Sequence, residues 1–408
     1  MSIKRYITPL FAACFLASMA TASDVIHDAL SVRTVVEAAF ERNPDILLSG
    51  AIRQEGEAIR QQAASLLADD PSVVIRHESD EMTDDNGFRN WESSVHMPLW
   101  LPGQRKQRRD VAHTTEIEAA SLAPFYKWRA SGEIRELLWS IRIAEVEASL
   151  AQAAVDSAQA LEADIDKRVA AGELAATDLI LARKETLAHE IKHGTAAANL
   201  ETLLGKYRVL TGLTAIPEDI LENDAPDTAV IARHPALVAA SVRADRARAE
   251  RNQSRREKRA NPVLAVGAKN ERAENGMPYD TIMTLELSLP LGLKGQSAPA
   301  IASAERRLTE QQISYASVQR DLENTLDIAA LEKQHTEQAL ELAHQQQQLS
   351  AEGLRLARRA FELGESGLFT LLRAHAEALA AERDFQIRQL EQGRAIARYN
   401  QALGVIPQ

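Results

Sequence analysis

Cysteine, aromatic residues and long apolar runs are scarce in this chain, and each shortage excludes a class of protein. The sequence holds one cysteine, Cys14, in 408 residues, so no disulfide within the chain can stabilise the fold. Only 4% of the residues are aromatic, fewer than a compact core of this length requires. Beyond the N-terminal segment, no apolar run reaches the ~18 residues of a transmembrane helix. The composition instead favours long, exposed helices with narrow apolar seams.

The charge balance and the missing motifs exclude further functions. The formal net charge of −11 argues against a nucleic-acid partner, which requires a basic surface. The sequence contains no phosphate-binding glycine loop, no H-E-x-x-H zinc motif and no nucleophile elbow. We therefore predict no enzymatic activity, no catalytic residue, no bound metal and no cofactor.

The N-terminus has the pattern of an export signal. Lys4 and Arg5 precede a mostly apolar stretch, and Ala20-Thr21-Ala22 fits a signal-peptidase site. We predict a signal peptide over residues 1–22. A lipidated Cys14, within the segment "FAAC", is the alternative.

The remaining sequence is internally duplicated. The segment "PLWLPGQR" from Pro98 recurs as "PLGLKGQS" from Pro290, and "GELAATDL" from Gly172 recurs as "GESGLFTLL" from Gly364 at the same spacing. The segments "RNPDILLS" and "RHPALVAA" form a further pair. Several pairs at nearly constant spacing indicate repeated structural units. We predict a first repeat over residues 23–213, a linker over residues 214–225 and a second repeat over residues 226–408.

Most of each repeat has the apolar periodicity of a helix. Residues 134–141 place Ile, Leu, Leu and Ile at i, i+3, i+4 and i+7. Turn signals are almost absent from residues 104–171 and 298–363, so each run is predicted to form a helix on the order of 100 Å long. Pro124 interrupts the first run and is expected to kink or break that helix.

Four short segments have the alternation of strands instead. In residues 283–288, Met, Leu and Leu alternate with Thr, Glu and Ser, which predicts a strand with one apolar and one polar face. Polar loops join the segments in pairs, so we predict two β-hairpins. The predicted strands cover residues 71–80, 89–98, 262–271 and 281–290.

Alternating strands of this length are typical of membrane-spanning barrels, although two soluble hairpins packed on helices would alternate in the same way. In lipid, an open sheet edge leaves backbone groups unsatisfied, and four strands are too few to close a barrel. Three chains with four strands each give twelve, an even number that can close. The predicted fold class is mainly α with a small β part. It combines duplicated helix–hairpin–helix halves, a long helical barrel and four strands per chain in a shared twelve-stranded trimeric barrel.

The repeated Pro-Leu…Gly-Gln segments lie where the strands end and the long helices begin. Proline at Pro98 and Pro290 ends the strand ladder because it has no N–H to donate. Gly103 and Gly295 are expected to form the turns immediately before the helices.

These features together resemble the TolC-type outer-membrane efflux proteins. The segment "PLWLPGQRKQRRDVA" is most similar to the heavy-metal (cobalt–zinc–cadmium or copper) branch. The resemblance implies a homotrimer whose strands form a pore in the outer membrane of a Gram-negative bacterium. It further implies that the helices form a periplasmic tunnel, whose tip meets an adaptor (membrane fusion) protein and an RND-type inner-membrane pump.

The resemblance assigns roles to the helix reversals. It implies adaptor contact at the two tips: Gly172, Glu173, Leu174, Gly364, Glu365 and Ser366. In the family, acidic residues one turn apart on the second reversal ring the closed aperture; here Thr370 and Arg373 occupy those positions. Asp178 and Glu377 are the remaining acidic candidates, and we expect these carboxylates to hold Arg373.

Other polar residues have positions that suggest a role. Five lie on the predicted polar faces of strands and are expected to line the pore: Arg76, Glu78, Glu92, His96 and Glu286. His189 and His193 stand at i and i+4 of a helix, a spacing that can hold a metal. Without a recognisable third ligand, we expect them to be two solvated histidines.

The function favoured by these observations is a passive efflux duct for metal cations or other small toxic solutes. A periplasmic coiled-coil adaptor or scaffold without a pore is the alternative. The strands distinguish the two, because a scaffold has no use for a lipid-facing row of Met283, Leu285 and Leu287.

Overall fold

The computed structural model describes residues 30–225, 231–292 and 294–407. The predicted signal peptide, its cleavage site and Cys14 therefore lie outside the described residues. A short 3-10 turn at Ile231–Arg233 precedes the second repeat's first helix. The helices and strands of the described residues, in chain order, are α1 (Val32–Glu41), α2 (Ile46–Ala64), β1 (Ser72–Ser79), β2 (Arg89–Pro98), α3 (Gln104–Ala170), α4 (Ala176–Thr211), α5 (Pro235–Arg256), β3 (Val263–Arg272), β4 (Asp280–Ser288), α6 (Lys294–Glu362) and α7 (Leu368–Ala402).

Two very long helices dominate the molecule. Helix α3 has 67 residues and α6 has 69, so each spans about 100 Å at 1.5 Å per residue. Of the two outcomes expected at Pro124, a break does not occur, because α3 continues through it. Leu122 and Tyr126 on either side of Pro124 are buried, and their packing offsets the backbone hydrogen bond that proline removes. No helix of the described residues is both long and apolar enough to cross a membrane.

The four strands form one antiparallel sheet in the order β1-β2-β3-β4. Two hairpins from different repeats thus join side by side, with Val95 of β2 opposite Val266 of β3. Strands β1 and β4 lie at the two edges. The predicted fold class, mainly helical with duplicated halves and a small four-stranded sheet, is confirmed.

Below the sheet the four longest helices pack in a row. Helix α3 packs on α4 and α7, and α6 packs on α7, so the order across the row is α4-α3-α7-α6. Helix α6, at one end, exposes leucines at seven-residue spacing: Leu342, Leu349 and Leu356. Helix α4, at the other end, exposes Ile180, Leu187 and Ile191. The apolar seam of each outer helix is therefore uncovered within a single chain.

The two strand-to-helix transitions differ. Gly103 has a φ of 87°, in the left-handed region that glycine adopts without strain, and α3 begins at the next residue. Gly295 instead lies inside α6, which begins at Lys294. The prediction that both glycines form the turn is correct for the first repeat and wrong for the second, where the helix begins one residue before the glycine.

In both repeats, the side chain of the residue before a proline accepts a hydrogen bond from a backbone N–H at the start of a helix: Asn43 in the first repeat and His234 in the second. Asn43 accepts a hydrogen bond on its side-chain oxygen from the N–H of Asp45, at 2.9 Å. The Nδ1 of His234 accepts one from the N–H of Ala236, at 3.2 Å, at the start of α5. His234 is 2% exposed and meets the Trp128 ring edge-on, with ring centroids 4.6 Å apart. Burial lowers the pKa of His234 to about 4, so the neutral ring is the folded form.

We predict that His234 makes the protein sensitive to acid. An unfolded histidine titrates near pH 6.5, so its contribution to stability is complete above that pH. As the pH falls from about 6.5 to about 4 the unfolded chain binds the proton first, which costs up to ~3 kcal/mol. In His234→Asn, where Asn can still accept the Ala236 hydrogen bond, the unfolding temperature should fall less between pH 7 and pH 5 than in the wild type.

The exposed His335 provides the matched control, since His335→Asn should leave the pH dependence of the wild type unchanged. Equal acid sensitivity in wild type and His234→Asn would show that other groups cause it.

Candidate functional site

The five polar residues expected to line a pore share one face of the sheet. Arg76 is the cross-strand partner of Glu92, and its guanidinium lies 3.3 Å from that carboxylate. Asn90 donates to Glu78 at 3.1 Å on the same face. His96 and Glu286 both lie opposite Ala265, from the two neighbouring strands. The structure therefore brings these residues together into a continuous polar surface that crosses both repeats.

The opposite face is apolar and exposed. Leu285 pairs with Val266, which pairs with Val95, so an apolar row runs across the sheet. Met283 and Leu285 are 75% and 76% exposed. Large apolar side chains at such exposure mark a surface that another apolar phase or partner covers.

The two helix reversals have the same backbone hydrogen bonds. At the first, the N–H of Glu173 donates to the carbonyl of Arg168 at 2.8 Å, around a left-handed Gly172. At the second, the N–H of Glu365 donates to the carbonyl of Ala360 at 2.8 Å, around a left-handed Gly364. This pattern satisfies the last carbonyls of the incoming helix and requires glycine for its positive φ.

An apolar cluster joins the two reversals. Its buried members come from four helices: Ile165, Ala182, Phe361, Leu368 and Leu371. Leu174 packs against this cluster and is half-buried, as is Ser366. The other four residues expected to meet an adaptor are exposed: Gly172, Glu173, Gly364 and Glu365. The tips therefore present a polar, glycine-containing surface over an apolar base.

Of the two carboxylates expected to contact Arg373, only that of Glu377 does so within the chain. Its Nε lies 3.0 Å from Glu377 one turn further along α7, and both side chains are exposed. Asp178 instead accepts a hydrogen bond from the N–H of Ala175 at 3.3 Å, at the start of α4. Within the single chain Asp178 does not hold Arg373, because a carboxylate in the first turn stabilises the free N–H groups of its own helix. A contact between Asp178 and Arg373 of different chains stays a prediction. Thr370 takes the equivalent position on α7 and is exposed.

Of the histidine pair of α4, His189 is buried and not solvated as expected, whereas His193 is half-buried. His189 is 6% exposed, and burial lowers its pKa. Next to it lies His375 of α7, which is 8% exposed and hydrogen-bonds Ser157 of α3 at 2.9 Å. Sequence reasoning missed His375 because only the packing of α7 on α3 brings it to this layer. Among the described residues, no group of three or more His, Cys, Asp or Glu side chains is placed to hold a metal ion.

Comparison with known proteins identifies this architecture. Residues 228–405 match the model of the outer membrane efflux protein family. This match to the second repeat supports the resemblance to TolC-type outer-membrane efflux proteins that the sequence indicated. Members of this family are passive channels and not enzymes. Its place in the heavy-metal branch stays a prediction.

Solved structures show the same fold along nearly the whole chain. The outer membrane protein VceC of Vibrio cholerae is 14% identical, with a TM-score of 0.74 over 92% of this chain and 96% of VceC. A membrane protein of Pseudomonas aeruginosa is 19% identical, with a TM-score of 0.75 over 91% of this chain and 93% of that one. The outer membrane channel CmeC of Campylobacter jejuni is 14% identical, with a TM-score of 0.73 over 92% of this chain and 86% of CmeC. No curated protein matches the sequence significantly.

We predict that the Arg373–Glu377 pair helps to keep the channel tip closed. Arg373→Glu places two carboxylates one turn apart, where like charges repel, and removes an exposed pair worth ~0.3–0.5 kcal/mol per chain. Single-channel conductance in a planar lipid bilayer should therefore rise. The charge-swapped double variant, Arg373→Glu with Glu377→Arg, should return conductance toward the wild-type value.

Thr370→Ala is the matched control on the same surface and should leave the conductance unchanged. A wild-type conductance for Arg373→Glu would leave closure to the apolar cluster that joins the reversals.

Proposed function

We propose that this chain is the outer-membrane channel of a tripartite efflux system. It forms a passive trimeric duct through which metal cations or other small toxic solutes leave the cell. The observation that carries the proposal is the four-stranded sheet, which has one apolar exposed face, one polar face and two edge strands. In a membrane, such a sheet serves as one third of a barrel wall.

The edges of the sheet support a closed ring of chains. Strands alternate in direction along the order β1-β2-β3-β4, so β4 of one chain runs antiparallel to β1 of the next. Antiparallel closure then satisfies every backbone group of both edges, as hydrocarbon requires. Three copies give twelve strands, within the range of known outer-membrane barrels.

The helical row supports the same ring. The uncovered seams of α4 and α6 lie at opposite ends of the row, and each repeats at spacings close to two helical turns. Leu349 and Leu356 of one chain lie at the same distance from the reversals as Leu187 and Ile180 of its neighbour, and can therefore pack against them in the manner of a coiled coil. One arrangement of three chains covers both the strand edges and the helix seams.

The remaining surfaces fit the partners of such a system. The exposed reversals at Gly172 and Gly364 would meet a periplasmic adaptor, and an RND-type inner-membrane pump would deliver the solute. The polar sheet face, including Arg76, Glu92 and Glu286, would line a water-filled path past the hydrocarbon layer. Such a path removes the desolvation cost that a free ion meets in lipid. Selection of the solute would then lie with the pump.

We predict that the protein is an outer-membrane trimer. After cell fractionation it should remain with the outer membrane and require detergent for release. Light scattering of the purified protein should give three times the mass of the chain. A periplasmic scaffold would appear in the soluble periplasmic extract, and a monomer in detergent would contradict the barrel.

We predict that charge on the apolar face blocks assembly. Leu285→Arg places a cation near the middle of β4, where it costs ~2–4 kcal/mol per chain in the hydrocarbon. The amount of trimer in the outer membrane, measured on unheated gels, should fall strongly.

Thr284→Arg is the control one residue away. Thr284 faces the polar side opposite Gly267, which has no side chain, so an arginine there remains in water. Equal loss of trimer in both variants would mean that the two faces of β4 have been assigned incorrectly.

A further inference from the structure

The helix end of the sheet carries a group of exposed cations from both repeats. Lys106 and Arg109 lie in the first turns of α3, directly after β2. Arg256, Lys258 and Arg259 lie between the end of α5 and the start of β3. All five side chains are exposed, and together we name them the basic collar.

The two parts of the collar are adjacent in space. Arg108 of α3 pairs with Glu257 at 3.0 Å, which joins the two segments directly. A side-chain carbon added at Gly103 would lie 3.8 Å from Nε of Arg256. Arg259 lies against Gly292 of the segment that follows β4. The collar therefore crosses the base of the sheet from β2 to β4.

The collar cations lack protein partners. Among the described residues, Lys106, Arg256, Lys258 and Arg259 make no ion pair and no side-chain hydrogen bond. Arg109 bonds only the carbonyl of Arg105, one turn before it in α3. Neighbouring carboxylates are already engaged: Glu257 by Arg108, Glu305 by Arg251 and Arg255. Asp69 and Asp70, before β1, and Asp110, next to Arg109 in α3, are further acidic residues at this end, and the five collar cations outnumber them.

The charge at the two ends of the sheet is opposite. The loop between β1 and β2 carries Asp80, Glu81, Asp84 and Asp85, and its neighbour Arg89 is neutralised by Glu81. The net charge of the chain is −11, so a group of cations without carboxylate partners at one end of the sheet indicates an anionic partner outside the chain. Apolar and amphipathic side chains adjoin it: Leu289 and Leu291 are exposed, and the Trp100 ring lies 5.1 Å from the guanidinium of Arg108.

We propose that the basic collar binds the headgroups of anionic phospholipids in the membrane leaflet on the helix side of the barrel. The inference rests on the proposed function, which places the apolar sheet face in lipid. Cations just outside the hydrocarbon are attracted by an anionic surface, and each strengthens the attraction about fivefold. Exposed leucines and a tryptophan at the same level are typical of the zone between acyl chains and headgroups.

The collar also fixes the depth of the barrel. Strand β2 has 10 residues and is about 33 Å long at ~3.3 Å per residue, so at the ~40° tilt of barrel strands it spans roughly 25 Å of membrane thickness. Headgroup contacts at the helix end resist movement of the apolar band toward the other leaflet, where the acidic loop remains in water.

Trp100 provides a native probe of the lipid next to the collar. The protein with Trp91→Phe is reconstituted into phosphatidylcholine vesicles that contain equal mole fractions of either brominated phosphatidylglycerol or brominated phosphatidylcholine. Bromine quenches the fluorescence of tryptophan that it contacts, and Trp128 and Trp139 lie within the helical part. Brominated phosphatidylglycerol should quench severalfold more strongly than brominated phosphatidylcholine, and the difference should shrink in high salt.

The variant with Lys106, Arg256, Lys258 and Arg259 each changed to Gln should lose this preference. A matched variant with Lys184, Lys206, Arg208 and Arg320 changed to Gln removes the same number of exposed cations from α4 and α6 and should retain it. Equal quenching by the two lipids in the wild type, or an unchanged preference in the collar variant, would overturn the proposal. Protein that inserts into neither membrane would instead contradict the proposed function.

Discussion

Backbone groups at a sheet edge need partners, and in hydrocarbon only another strand can supply them. The sheet here has two such edges, β1 and β4, and one apolar face that is exposed in the single chain. Each unpaired group in lipid costs several kcal/mol, more than an apolar side chain recovers by burial there. In a membrane the sheet would therefore need partner strands at both edges, which copies of the same chain would supply. The helical row has the same property, because the seams of α4 and α6 lie at its two ends.

Much of this architecture could be predicted from the sequence, because the repeat and the two periodicities are local signals. Alternation in residues 283–288 located the strand and its faces, and the register pairs those residues accordingly. The reversals at Gly172 and Gly364 were also predictable, because a left-handed residue at the end of a long helix is almost always glycine.

What the sequence did not reveal depends on packing between distant segments. His189 is buried because α3 and α7 cover it, and nothing within α4 indicates that contact. Asp178 accepts a hydrogen bond from the N–H of Ala175 at the start of its own helix, and nothing in the local sequence of α4 distinguishes this contact from a pairing with Arg373. Helix α3 continues through Pro124, and Leu122 and Tyr126 on either side of it are buried. In the sequence, the Lys and Arg residues of the basic collar lie in two distant segments. Only the ion pair between Arg108 and Glu257 shows that these segments are adjacent.

The twin reversals have a further consequence for symmetry. Their backbones are alike, with Glu173 and Glu365 each bonded to the fifth residue before it, yet the helices that follow begin differently. Asp178 places a carboxylate in the first turn of α4, whereas Thr370 places a neutral hydroxyl in the first turn of α7. In a ring of three chains, the six tips would alternate between an acidic and a neutral type. A partner assembly with six equivalent arms would then meet two kinds of site, and its arms would bind with two different affinities.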